Sequence, residues 1–176
     1  MSELERGPDF AKSDELEFVV KNEPWTKYTL EDGTKLFVKY VLTKVYRTDR
    51  YNPNGEPIYF PSGQNIFVTI VGKERKGVPS NPSPVSENAA EYNTVYVDFE
   101  RTGSEEWNNY EFSDGTIYRV KIEPTTVMRT DKFAPDGDPY YLISSGTIPR
   151  IKVPQHLMKK QIPKISFFPQ NEEIYK

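Results

Sequence analysis

Apolar and polar positions alternate along much of this chain, and the alternation occurs twice. Leu36, Val38 and Tyr40 share one parity, while Phe37, Lys39 and Val41 take the other. Tyr118, Val120 and Ile122 repeat the first set, and Arg119, Lys121 and Glu123 the second. A period of two predicts strands with one face turned to a core. The alternation then slips, because Val45 and Val127 have the opposite parity to Val38 and Val120. A phase change of that kind predicts a bulge or bend. Glu123-Pro124-Thr125-Thr126 marks the place, since proline cannot donate to a central ladder. A further strand is expected from Thr43 or Lys44 to Arg50, and from Thr126 to Lys132.

Turn signals divide the remainder. Asp32-Gly33-Thr34 and Asp114-Gly115-Thr116 lie between a short extended piece (Tyr28 to Leu30; Tyr110 to Phe112) and the strands above. Asp can bond the backbone that follows it and Gly accepts positive φ, so each predicts a hairpin. Pro53-Asn54-Gly55-Glu56-Pro57 and Pro135-Asp136-Gly137-Asp138-Pro139 predict a second pair of turns. Short strands are expected after them, at Ile58 to Phe60 and Gln64 to Val71, and at Tyr140 to Ile143 and Ile148 to Val153. A leading strand is expected at Leu16, Phe18 and Val20, with Val95, Val97 and Phe99 as counterpart. No long helix is predicted. A short one around His156 to Gln161 and an extended piece at Ile165 to Phe168 complete the reading.

The duplication is direct. Trp25 to Val71 aligns with Trp107 to Val153 at an offset of 82 without a gap, and 19 of the 47 positions are identical. Composition alone would give roughly three matches. A repeat of this length sets the architecture before anything else. The fold expected is all-β: a tandem duplication of a small, roughly five-stranded barrel-like or sandwich-like unit. The alternative is that the two copies together form one larger barrel or sandwich. The intervals expected are a flexible acidic arm at 1–15, repeat one at 16–72, a Pro- and Ser-rich linker at 73–93, repeat two at 94–154 and a tail at 155–176. Two units this small favour packing against each other.

Composition narrows the setting more than the activity. Among 176 residues there is no Cys and one His, and the net charge is −3. Disulfides, thiolate metal sites and a cysteine nucleophile are excluded, and a generic nucleic-acid coat is disfavoured. No apolar run approaches the ~18 residues of a membrane span, and the acidic start lacks the pattern of a signal peptide. The expected setting is cytoplasmic, with no membrane partner. Charge is uneven, with seven acids against three bases in residues 1–24 and six bases against two acids in residues 150–176.

The candidate binding residues are those the copies repeat. Arg47 and Asp49, and Arg129 and Asp131, come from an Arg-Thr-Asp triplet. On a strand each pair shares a face, where an arginine fork suits a carboxylate. Trp25, Trp107, Tyr59 and Tyr141 recur near Lys39 and Lys121, a mixture that could stack bases or fill a core. The acids of the proline turns only loosely resemble a calcium loop. No catalytic residue, metal ligand or cofactor is indicated, and His156 has no companions that mark a triad.

Three functions fit these observations. The first is a non-catalytic interaction or scaffold protein presenting two similar β surfaces to a protein partner or a second subunit. The second is a single-stranded nucleic-acid binder using the repeated aromatic and basic residues. The third is an enzyme with a carboxylate, Arg and Tyr cleft between the copies, which requires a deep pocket of unmatched residues.

Overall fold

The Asp-Gly turns bend the chain at the expected places. The structure is a computed structural model and describes residues 9–81 and 89–159. Gly33 and Gly115 both adopt positive φ, at 86° and 85°. The side chains of Asp32 and Asp114 accept the backbone N–H groups of Thr34 and Thr116 at 3.1 and 3.0 Å. Each turn joins a short strand to a long one: β3 (Thr26–Leu30) to β4 (Lys35–Tyr51), and β8 (Asn108–Phe112) to β9 (Ile117–Phe133). The glycines of the proline turns, Gly55 and Gly137, also have positive φ. They lead into β5 (Pro57–Ile70) and β10 (Pro139–Lys152).

The phase slip is a bulge within a continuous strand. Leu42 pairs with Gly63 and Lys44 with Ser62, leaving Thr43 as the extra residue. In the second copy Thr126 pairs with Ser144 and Pro124 with Ser145, leaving Thr125. Burial changes parity there: Leu36, Val38, Tyr40 and Leu42 are buried before the bulge, and Val45 immediately after it. The two pieces expected on either side of the slip are thus one strand. The two short strands expected after each proline turn are likewise one 14-residue strand. A bulge alters register without interrupting the ladder, so it resembles a break in sequence alone.

Four short strands complete the sheets: β1 (Asp14–Glu15), β2 (Phe18–Asn22), β6 (Thr94–Tyr96) and β7 (Phe99–Thr102). In the first sheet β5 runs along one edge of β4. The other edge of β4 takes β3 beside its first half and β1 beside its second. The second sheet repeats this with β10, β9, β8 and β6. The copies then exchange their remaining strands. Strand β7 adds outside β3, and β2 adds outside β8. Each five-stranded antiparallel sheet therefore contains strands from both halves of the chain.

This exchange corrects the counterpart expected for the leading strand. Phe18 pairs with Phe112 and Phe99 with Leu30, so Phe18 corresponds to Phe99. Leu16 and Val97 correspond too, each donating its N–H to Val45 or Val127 at 3.0 Å. Alternation is unchanged by a shift of two residues, so it could not fix this alignment.

The inner faces of both sheets meet in a shared core. Leu36, Val38 and Val45 from β4 pack with Val120, Ile122 and Val127 from β9. Phe18 packs edge-on to Tyr110 at 5.9 Å, and its equivalent Phe99 packs on Tyr28 at 5.8 Å. Fully burying such a side chain contributes about 1.5–3 kcal/mol.

Segments flanking the sheets dock reciprocally. After β5, Gly77 donates its N–H to Gly137 at 2.9 Å; after β10, Lys159 donates to Gly55 at 2.8 Å. The linker expected at 73–93 thus begins with a docked 3-10 turn, Lys73–Arg75. The short helix expected around His156 is a 3-10 turn, Gln155–Leu157, among the described residues. The arm expected at 1–15 ends in a turn at Phe10–Lys12 and in β1, with Phe10 against Tyr46 at 5.0 Å. The extended piece expected at Ile165 to Phe168 lies outside the described residues.

Candidate functional site

The repeated polar residues meet across the copies. Arg47 Nη1 lies 3.1 Å from Asp114 Oδ2. Tyr59 donates its hydroxyl to the same oxygen at 2.8 Å and lies 2.8 Å from Thr116 Oγ1. The second joint reverses the roles. Arg129 Nη1 lies 2.7 Å from Asp32 Oδ2, and Tyr141 contacts Asp32 Oδ2 and Thr34 Oγ1, each at 2.8 Å. The Asp-Gly-Thr turn of each copy is therefore held by the Arg and Tyr of the other.

These joints shift the acidity of their members. Burial alone would raise the Asp32 carboxyl. The Thr34 N–H, the Tyr141 hydroxyl and the Arg129 guanidinium outweigh it and hold the group below the ordinary carboxylate value. Asp114 is lowered in the same way by Thr116, Tyr59 and Arg47, again against the opposing effect of burial. Tyr59 and Tyr141 move up to about 12, first by burial and then through the adjacent carboxylates.

The expected pairing within the Arg-Thr-Asp triplet is replaced by these longer-range contacts. Arg47 also binds Asp14 at 2.9 Å. Asp131 accepts from Asn93 at 2.8 Å and lies 3.8 Å from Lys132. Asp49 is exposed and lines a shallow recess with Arg47 and Lys159. The triplet residues share a face locally, but a closer carboxylate reaches each Arg from the opposing copy. In the proline turns, Asn52 Oδ1 accepts the N–H groups of Asn54 and Glu56 at 2.9 and 3.0 Å. Asp136 Oδ1 accepts Asp138 N–H at 3.1 Å. These oxygens close turns.

The tryptophans stand on the outer faces and do not fill the core. Trp25 is 39% exposed and packs edge-on to Phe37 at 6.5 Å. Lys39 lies 5.7 Å from its ring and pairs with Glu23 at 3.3 Å. Val68 and Ile70, 44% and 57% exposed, line the same hollow. Cross-strand pairing of Phe37 with Val68 and of Lys35 with Ile70 fixes them on that face.

At the 82-residue offset, Phe37, Val68 and Ile70 become Arg119, Arg150 and Lys152. Arg150 lies 4.5 Å from the Trp107 ring centre and Arg119 lies 5.3 Å away. Lys121 approaches at 5.4 Å and is held by Glu105 and Glu123 at 3.0 and 2.6 Å. Trp107 donates its indole N–H to Glu105 at 3.0 Å. The outer strips thus have the same layout and different chemistry. Sequence reading concentrated on identities and missed Phe37, Val68, Ile70, Arg119 and Arg150. The available signal was a change of residue class at positions that alternation turns outward.

Among the described residues no group of three or more His, Asp or Glu is arranged to hold a metal ion. None of the helices there is long and apolar enough to cross a membrane. No protein-family model, curated protein or solved structure matches the chain.

Proposed function

We propose that the protein is a non-catalytic interaction module that uses the outer strip around Trp25 to bind a protein partner. The carrying observation is the contiguous exposure of Trp25, Val68 and Ile70 beside Phe37. Its equivalent around Trp107 is instead covered by guanidinium groups. An exposed apolar patch rimmed by polar groups is a recognised form of protein-contact surface. Lys27 and Lys35 border the strip, with Lys27 lying 5.7 Å from the Phe37 ring centre. The matching partner surface is therefore an apolar centre with an acidic rim.

Val68→Glu tests this reading against Arg150→Glu at the equivalent position. The expected result is a protein captured by the unaltered chain, lost with Val68→Glu and retained with Arg150→Glu. Sedimentation of the purified chain identifies the case in which that partner is a second copy. Equal capture by all three chains would overturn the proposal. Salt-sensitive binding of a single-stranded oligonucleotide, lost with Arg150→Glu, would instead favour the basic strip around Trp107.

A further inference from the structure

The two sheets part between β5 and β10, and the resulting cleft breaks the internal repetition. It has a volume of about 570 Å³ and opens to solvent, within the range of small-molecule sites. Tyr40 and Tyr118 form part of its inner wall, while Pro61 and Pro149 flank it from the two edge strands. At the 82-residue offset these positions are Ile122, Leu36, Ile143 and Phe67. Ile143 and Phe67 are partly buried against the core. The copies therefore place hydroxyls at one end, and partly buried aliphatic and phenyl side chains at the other. Strand pairing places Asn65 opposite Tyr40 and Thr147 opposite Ile122, so both point to the inner side.

Gly63 is a second departure from the repeat. A Cβ built there would overlap the Tyr40 phenol, with Cζ and Oη both 2.3 Å away. The equivalent residue is Ser145. The missing side chain lets the Tyr40 ring extend across β5 to the cleft. Burial raises the pKa values of both the Tyr40 and the Tyr118 phenols, so both remain neutral at ordinary pH.

The lining contains hydroxyls, an amide, proline rings and the Ile151 side chain, with no charged group. A phosphate or carboxylate would find no cation there, and an ammonium would find no carboxylate. A hydrocarbon would displace water from the exposed Ser62 and Thr147 hydroxyls without replacing its hydrogen bonds. Groups that both donate and accept, set beside apolar surface, match a ligand with the same mixture. We infer that the cleft between β5 and β10 binds an uncharged, hydroxyl-rich small molecule of the saccharide class. This site is separate from the Trp25 strip and does not depend on it.

The test is NMR titration of the full chain with maltose, cellobiose and chitobiose, using glucose 6-phosphate as the charged comparator. At roughly 10 mM a site of millimolar Kd is well occupied. The expected result is that at least one neutral disaccharide shifts the Tyr40 and Tyr118 ring signals and the Asn65 amide, while glucose 6-phosphate does not. Pro149→Phe supplies the residue found at equivalent position 67 and is expected to abolish those shifts. Tyr118→Phe keeps the ring, removes one hydroxyl and is expected to weaken binding about tenfold, so it serves if Pro149→Phe fails to fold. Absence of shifts with all three disaccharides overturns the inference. So does stronger binding of the phosphate, undiminished binding by whichever variant folds, or shifts confined to the outer faces.

Discussion

The joint at Asp114 and the joint at Asp32 use the same four residue types in the same roles. The strip at Trp25 and the strip at Trp107 share an indole and then diverge, with Phe37, Val68 and Ile70 against Arg119, Arg150 and Lys152. Each joint needs residues from both copies, so a change in the shared module would alter both contacts. An outer position needs only a side chain compatible with its strand and with water. The repeat therefore keeps its chemistry at the two joints and varies it at three positions of the outer strips.

Breaking a joint should have the largest effect. Asp32→Ala leaves Arg129, Tyr141 and Thr34 without their shared acceptor, and should cost about 3 kcal/mol in urea unfolding. Asp131→Ala, which removes an exposed carboxylate from the triplet, should cost about 0.5 kcal/mol. Equal losses would refute the structural distinction between them.

Alkaline titration acts on both joints together. Unfolded tyrosine ionises near pH ~10, whereas Tyr59 and Tyr141 do so at about 12. The folded state therefore holds more protons between those values. Its stability is retained below pH ~10 and should fall by a few kcal/mol as pH rises towards ~12. The sign is opposite for Asp32 and Asp114, whose folded pKa values are lowered. Their contribution is present above the ordinary Asp value and is lost as pH falls through the lower folded values. Urea midpoints across pH should show a smaller alkaline loss when Tyr59 and Tyr141 are both Phe. An unchanged alkaline loss would separate these tyrosines from it.

The outer strips should respond more weakly and unequally. Trp107→Ala removes a ring approached by three cations and should cost about 2 kcal/mol, against about 1 kcal/mol for Trp25→Ala. Thermal unfolding that ranks them the other way would show that cation contacts do not distinguish the strips. Converting Phe37 to Arg, Val68 to Arg and Ile70 to Lys should change stability by only about 0.5 kcal/mol in urea. Partner capture should nevertheless be lost. Retained capture would break the proposed difference in use between the two strips.

Local chemistry made the hairpins legible. Asp32-Gly33-Thr34 and its copy contain both the side-chain acceptor and the glycine that the turn uses, and the slip at Val45 signalled a bulge or bend, which the structure places at Thr43. The partner of Arg47 was not legible, because a strand pattern specifies a face and not which distant loop will meet it. For the same reason, alternation at Phe18 showed a strand and left its neighbour unspecified. Identity between copies drew attention to Arg47 and Tyr59, which hold the scaffold together. The cleft was concealed because Tyr40, Gly63, Tyr118 and Pro149 are all unmatched.

Strands β2 and β7 also set an order for assembly. During synthesis the first half emerges before its edge neighbour at residues 99–102 exists, while its own residues 18–22 await a hairpin made later. Closure therefore depends on contacts distant in sequence, which slow folding. Two separately expressed fragments divided within residues 82–88 should each be incomplete and should complement one another when mixed. At high concentration, the same handover between different molecules would give an intertwined dimer.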